Sequence, residues 1–179
     1  SYVGGIVGEN IGGTIEGVTN TGTISGSASV GGIVGEIKNN ARVYETVNTG
    51  KVNGTSDKIG GIAGYVNFTS SADTTRLMNL LNKSEITSQN TTAQVGQIIG
   101  AFNNITNDKV REQVFMAVDT SAATNMFGSL NNNNKNISVV NLSSIAGLIG
   151  TNTNITYDGT NYEKYLSVFN DSLVWRYID

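Results

Sequence analysis

Val3-Gly4-Gly5-Ile6-Val7-Gly8 recurs as Val30-Gly31-Gly32-Ile33-Val34-Gly35, and the reading of the fold starts from that repetition. Three looser copies follow, at Ile59-Gly60-Gly61-Ile62-Ala63-Gly64, Val95-Gly96-Gln97-Ile98-Ile99-Gly100 and Ile145-Ala146-Gly147-Leu148-Ile149-Gly150. The copies start 27, 29, 36 and 50 residues apart, so the array is regular at first and then takes insertions. A period in this range marks a repeat architecture, in which each unit buries its apolar face only against its neighbours.

A second signature keeps step with the first. Asn20-Thr21-Gly22-Thr23-Ile24 matches Asn48-Thr49-Gly50-Lys51-Val52 and Asn82-Lys83-Ser84-Glu85-Ile86, with Ile15, Val43 and Leu77 each five residues before the Asn. Each unit therefore offers three apolar segments, centred on Ile6, Ile15 and Ile24 in the first. This pattern predicts an all-β chain: a parallel β-helix, or β-solenoid, with about three short strands per rung stacked about 4.8 Å apart. A β-sandwich or barrel would also have short strands and Gly-rich turns. It gives no reason for the hexapeptide and the Asn to recur at a shared offset.

The core is expected at Ile6, Val7, Ile33, Val34, Ile62, Ile98 and Leu148. Gly8, Gly35, Gly64, Gly100 and Gly150 close the five hexapeptides, where a coil turns a corner, and Gly supplies positive φ there without strain. The inner Gly pairs leave room for another segment to come close. Asn20, Asn48 and Asn82 share one repeat position. Their amides are expected to stack as a ladder between rungs, the alternative being that Asn tolerates a turn three times.

The pattern loosens beyond residue 100. Val110, Val114, Ala117 and Val118 stand at helical spacing after Asn107 and Asp108, predicting a short helix in an insertion. Asn131-Asn132-Asn133-Asn134-Lys135-Asn136 reads as an exposed loop. Tyr162, Tyr165, Phe169, Trp175 and Tyr177 place five of the chain's thirteen aromatic residues in its last eighteen positions. Interleaved with Leu166, Val168, Leu173, Val174 and Ile178, they predict C-terminal capping strands, with Phe169 and Trp175 as the cap. A carbohydrate-stacking platform is the alternative. The expected organisation is one domain over 1–179: regular rungs over 1–100, degenerate rungs over 101–144, and the last rung with its cap over 145–179. Ser1-Tyr2 leads straight into the motif, so a segment of a longer array is expected.

Composition limits the chemistry. The chain has neither Cys nor His, so thiolate metal sites, HExxH zinc chemistry and His-based triads have no residues to use. The absence of Pro suits hydrogen-bonded strands. A formal charge of −3 offers no basic face for nucleic acid, and no apolar run has the roughly 18 residues of a membrane span. Glu9 and Glu36 occupy one repeat position. Stacked, they would form an acid pair or a Ca²⁺ ligand set, but the third copy has Tyr65 there, and an exposed corner position tolerant of charge is the ordinary explanation. Several Asn-x-Ser/Thr sequons, among them Asn53, Asn67, Asn82 and Asn104, bear on glycosylation only in a eukaryotic source. The step from Thr21-Gly22-Thr23 to Thr49-Gly50-Lys51 breaks the regular Thr array of an ice-binding face.

The run Gly4-Gly5-Ile6-Val7-Gly8-Glu9-Asn10, Gly13-Thr14-Ile15, Gly22-Thr23-Ile24-Ser25-Gly26 resembles the GLUG motif, with further matches over 31–54 and from Gly60. Asp171 to Arg176 is similar to the closing strand that follows such arrays. The resemblance implies a bacterial surface adhesin, or the non-catalytic region of an IgA-protease-type zinc metallopeptidase. Peptidase chemistry does not carry over, for want of zinc-binding His. The expected function is thus a non-enzymatic, cofactor-free and metal-free adhesive module at the cell surface, monomeric as isolated. Its partners would be a host or neighbouring-cell protein or glycan and the other domains of its parent chain. The alternatives are an accessory domain of a secreted peptidase and a polysaccharide-acting β-helix using Glu9 and Glu36.

Overall fold

Short strands rich in Val and Ile cannot bury both faces alone, and here each pairs with its own copy one repeat later. The computed structural model describes residues 1–103, 114–117, 127–130, 138–141, 152–157, 160–169 and 172–177, with side chains over 1–77 and 80–103. The described residues are all-β, without a helix, in four parallel sheets and one antiparallel sheet. The first sheet orders β1 (Tyr2–Gly4), β6 (Ser29–Gly31), β10 (Lys58–Gly60) and β14 (Gln94–Gly96). The second orders β2 (Val7–Ile11), β7 (Val34–Lys38), β11 (Ala63–Asn67), β15 (Ile99–Asn103) and β17 (Phe127–Leu130).

The third orders β3 (Thr14–Glu16), β8 (Arg42–Asn48), β12 (Arg76–Asn82), β16 (Val114–Ala117) and β18 (Ser138–Asn141), with β4 (Thr19–Asn20) also on β8. The fourth orders β5 (Ile24–Gly26), β9 (Val52–Gly54) and β13 (Ile86–Ser88). An antiparallel sheet of β19 (Asn152–Tyr157), β20 (Thr160–Phe169) and β21 (Ser172–Tyr177) ends the chain.

Equivalent residues sit on one another. Val3 pairs with Val30, Val30 with Ile59 and Ile59 with Val95, while Ile15 pairs with Val43 and Val43 with Leu77. A one-residue slip would turn each apolar column to the wrong face, so burial holds this register. One core cluster runs through Ile33, Val34, Ile37, Val43, Ile62, Leu77, Leu80, Ile98 and Phe102, and a second through Val30, Val52, Ile59 and Ile86. Burying each such side chain contributes about 1.5–3 kcal/mol.

Four expectations need correction. The hexapeptide is two strands, not one: β1 ends at Gly4 and β2 begins at Val7, so the first three repeats each contribute to four sheets rather than three. The bend between them carries Gly4 onto the next repeat, where an added Cβ would stand 2.6 Å from the Ile33 carbonyl oxygen.

Ile6 is 46% exposed and Val7 half-buried, because the first repeat has a copy on one side only; Ile33, Val34, Ile62 and Ile98, flanked on both sides, are wholly buried. Positive φ is not what Gly8, Gly35, Gly64 and Gly100 supply. Among the described residues it occurs at Gly12 (70°), Gly17 (64°), Asn39 (57°), Asn40 (63°) and Glu45 (49°).

The stretch expected as a helix contains β16 instead. It lies between β12 and β18, with Leu80 opposite Phe115 and Leu81 opposite Met116. Ladder pairing on both edges satisfies its backbone, which outweighs a weak helical spacing in a Val-Phe-Met run. Asn107, Asp108, Val110 and Val118 lie outside the described residues, as do the 131–136 tract and the 145–150 copy with Leu148 and Gly150.

Candidate functional site

Two polar constructions stand out, one inside the stack and one on its flank. The inner one is the asparagine column. Register places Asn20 beside Asn48 and Asn48 beside Asn82. Asn20 Nδ2 donates to Asn48 Oδ1 at 2.8 Å, and Asn48 Nδ2 donates to Asn82 Oδ1 at 2.9 Å. Each amide also holds the turn after it, donating to Gly22 O (2.9 Å), Gly50 O (2.8 Å) and Ser84 O (2.9 Å) respectively. Asn48 and Asn82 are fully buried, a setting in which an unpaired amide is costly.

The paired glycines make room for this column. A Cβ on Gly5 would stand 3.1 Å from Asn20 Nδ2, one on Gly32 2.5 Å from Asn48 Nδ2, and one on Gly61 2.6 Å from Asn82 Nδ2. The fourth copy carries Gln97 at this position, and its Oε1 accepts from Asn82 Nδ2 at 3.3 Å. Opposite Asn82 in the ladder stands Ala117. Where the Asn of the repeat is lost, an amide has appeared at the position of the Gly that faces it.

The flank construction gathers on the second sheet. Glu9 pairs with Glu36, and Ile11 with Lys38, across β2 and β7; Tyr65 and Asn67 continue the two rows on β11. Glu36 and Lys38 share a face through strand alternation. Lys38 Nζ donates to Glu9 Oε1 and, at 3.2 Å, to Glu36 Oε2. Asn67 Nδ2 donates to Glu36 Oε1 at 3.3 Å, and Asn103 Nδ2 to Asn67 Oδ1 at 3.1 Å. Lys58 Nζ lies 4.7 Å from the centre of the Tyr65 ring.

Hydrogen bonding to Lys38 holds the Glu9 carboxyl below its usual range, and bonding to Glu9 raises the Lys38 ammonium. The charge of Glu36 pushes the Tyr2 phenol up, as burial does for Tyr65. A glycosidase acid needs a carboxyl raised toward neutrality. Glu9 is shifted the other way, with a cation between it and its partner. Among the described residues no three of His, Cys, Asp and Glu gather as a metal site.

Asp73 was missed from the sequence because nothing about it repeats. Its buried carboxylate accepts from the N–H groups of Asn40 (2.9 Å), Asn39 (3.2 Å), Thr69 (2.9 Å) and Thr75 (2.8 Å). Burial alone would raise its pKa; the bonds from Thr69, Asn40 and Thr75 outweigh that and hold it far below the usual carboxylate range. The result ties the loop after β11 to the left-handed corner at Asn39 and Asn40.

The first repeat carries the sequence of a known motif. Residues 1–25 match the GLUG motif. GLUG is a repeat motif of bacterial surface and secreted proteins. No curated protein and no solved structure matches the chain. Within the GLUG stretch, Gly5 faces Asn20, while Asn10 closes the turn at Gly12. Asn10 Oδ1 accepts from Gly13 N at 3.1 Å and its Nδ2 donates to Gly13 O at 3.1 Å. Phe169 ends β20 and Trp175 lies on β21, opposite Leu166.

Proposed function

We propose that this chain is a β-solenoid scaffold from a secreted or cell-surface bacterial protein, a non-catalytic adhesive module that displays a surface to a host protein or glycan. The observation that carries the reading is the register of the GLUG-like strands, copy upon copy, over the first four repeats. That arrangement yields a long flank of repeated side chains, which suits display better than it suits a converging catalytic centre. The acid pair aligned by the repeat supports the same reading, since Lys38 bridges it.

The test is the purified chain on protein and glycan arrays, with product analysis of every glycan bound. Retention of a partner without turnover is the expected result. Glycan cleavage that disappears in Glu9→Gln or Glu36→Gln would overturn the proposal in favour of a polysaccharide-acting β-helix. Failure to retain anything on either array would remove the adhesive role.

A further inference from the structure

We propose that Lys38, Glu36 and Asn67 form a self-cross-linking site, at which the Lys38 amine displaces ammonia from the Asn67 side chain and joins β7 to β11 by an amide bond. The reaction needs no partner, so it stands whether or not the flank binds a protein or glycan.

Position is the first observation. Lys38 and Asn67 are direct register partners on neighbouring parallel strands, about 4.8 Å apart. Glu36 stands two residues before Lys38 and shares its face. The Glu36 side chain is only 2% exposed, yet its carboxylate is bonded from two sides. Lys38 Nζ donates to Oε2 at 3.2 Å, and Asn67 Nδ2 donates to Oε1 at 3.3 Å. One buried carboxylate therefore holds the attacking nitrogen and the leaving nitrogen at once.

The second observation concerns the carbonyl. Asn103 Nδ2 donates to Asn67 Oδ1 at 3.1 Å. Negative charge develops on that oxygen when an amine adds to Cγ, and a donor already aimed at it stabilises the charge. The third observation is that the set lies outside the repeat pattern. One row of the second sheet runs Ile11, Lys38, Asn67, Asn103, and the row beside it runs Glu9, Glu36, Tyr65, Ala101. Among the described residues of these rows, an amine stands beside an amide with an acid between them only where the second repeat meets the third.

The proton follows the hydrogen bonds. Glu36 takes a proton from the Lys38 ammonium and leaves a neutral amine. The amine lone pair forms the new bond to Asn67 Cγ, and the carbonyl electron pair moves onto Oδ1. Glu36 returns its proton to Nδ2, the Cγ–Nδ2 bond breaks, and the carbonyl re-forms. Ammonia departs with the remaining proton of the new linkage, as ammonium, and Glu36 ends as it began. Glu9 opposes the first step: its hydrogen bond is the main cause of the raised Lys38 ammonium, and it keeps the amine charged.

The test is the intact mass of the purified chain, unfolded before measurement, followed by peptide mapping. The expected mass is short by one ammonia, and digestion should release a branched peptide joining Lys38 to Asn67. Lys38→Arg, which keeps the positive charge, and Glu36→Gln should both show the full sequence mass while keeping the β circular dichroism of the parent. If Glu36→Gln fails to fold, Lys38→Arg decides alone. In freshly made protein, Glu9→Gln should complete the bond several-fold sooner. The closed loop should raise the melting temperature by more than about 5 °C over Lys38→Arg. A parent chain that stays at full mass through prolonged incubation overturns the proposal. So does an ammonia loss that persists in Lys38→Arg, since that assigns it to a succinimide such as one at Asn53-Gly54. A bond that still forms in folded Glu36→Gln overturns the proton route through Glu36.

Discussion

Truncating Asn48 to Ala removes the centre of the asparagine column. The side chain is fully buried and sits among Asn20 Nδ2 (2.8 Å), Gly50 O (2.8 Å), Asn82 Oδ1 (2.9 Å) and Ser84 Oγ (2.9 Å). An amide nitrogen has two hydrogens, so two of the three donor contacts exist at one time, and the oxygen adds one bond. Three net bonds at about 1 kcal/mol each give a loss of about 3 kcal/mol. The orphaned Gly50 carbonyl and Asn20 amide bring the total toward about 4 kcal/mol, because water does not reach them.

Asn20→Ala also breaks three bonds, but two of them join the exposed Gly22, where water replaces them, so about 1 kcal/mol is expected for the remaining bond to Asn48 Oδ1. Asn48→Asp keeps the shape but sets an acceptor against Asn82 Oδ1, and should cost at least as much as the Ala variant at neutral pH. Urea unfolding followed by circular dichroism measures all three. A loss below about 1 kcal/mol for Asn48→Ala, or equal losses at positions 20 and 48, would refute the view that the buried column stabilises the stack.

Asp73→Asn should destabilise by about 2 kcal/mol at neutral pH, since a carboxylate gathering four N–H groups becomes an amide able to accept through one oxygen only. In the parent protein the depressed Asp73 pKa contributes stability above about pH 4, lost as pH falls toward the folded value; the stabilities of the two proteins, read from urea unfolding at a series of pH values, should therefore converge as pH falls. Thr46 is fully buried, and its hydroxyl oxygen has no partner among the described residues, so Thr46→Val should raise stability by about 1 kcal/mol in thermal unfolding. Gln97→Gly should cost about 1 kcal/mol by removing the acceptor at Asn82 Nδ2. Adding Ala117→Asn should restore most of it, and a double-mutant cycle with no coupling would count against the exchange.

The column was legible because a buried amide has to find a partner in every repeat, so its position recurs with the strands. The glycines were legible as positions but not as causes. Gly35 and Gly64 serve close backbone approach rather than a left-handed turn, a difference set by how two sheets meet, which a single strand's pattern does not carry. The turns themselves fall at Gly12 and Gly17, and Glu45 adopts positive φ without the glycine that would have announced it. Lys38 could have been found: two residues beyond Glu36 on a strand, it had to share its face. Asp73 could not, because its donors Asn39 and Asn40 lie 34 and 33 residues away and only the corner's shape joins them.

The pairing distance along the chain has a kinetic meaning. Partners in the first sheet lie 27 residues apart between Tyr2 and Ser29 and 36 between Ile59 and Val95, however many repeats follow. Each new repeat therefore closes a loop of about one repeat's length, and closure entropy grows only logarithmically even when an insertion lengthens it. Once one pair of repeats has nucleated, growth becomes a series of similar short searches. A chain of this kind can extend its reach without lengthening its slowest step.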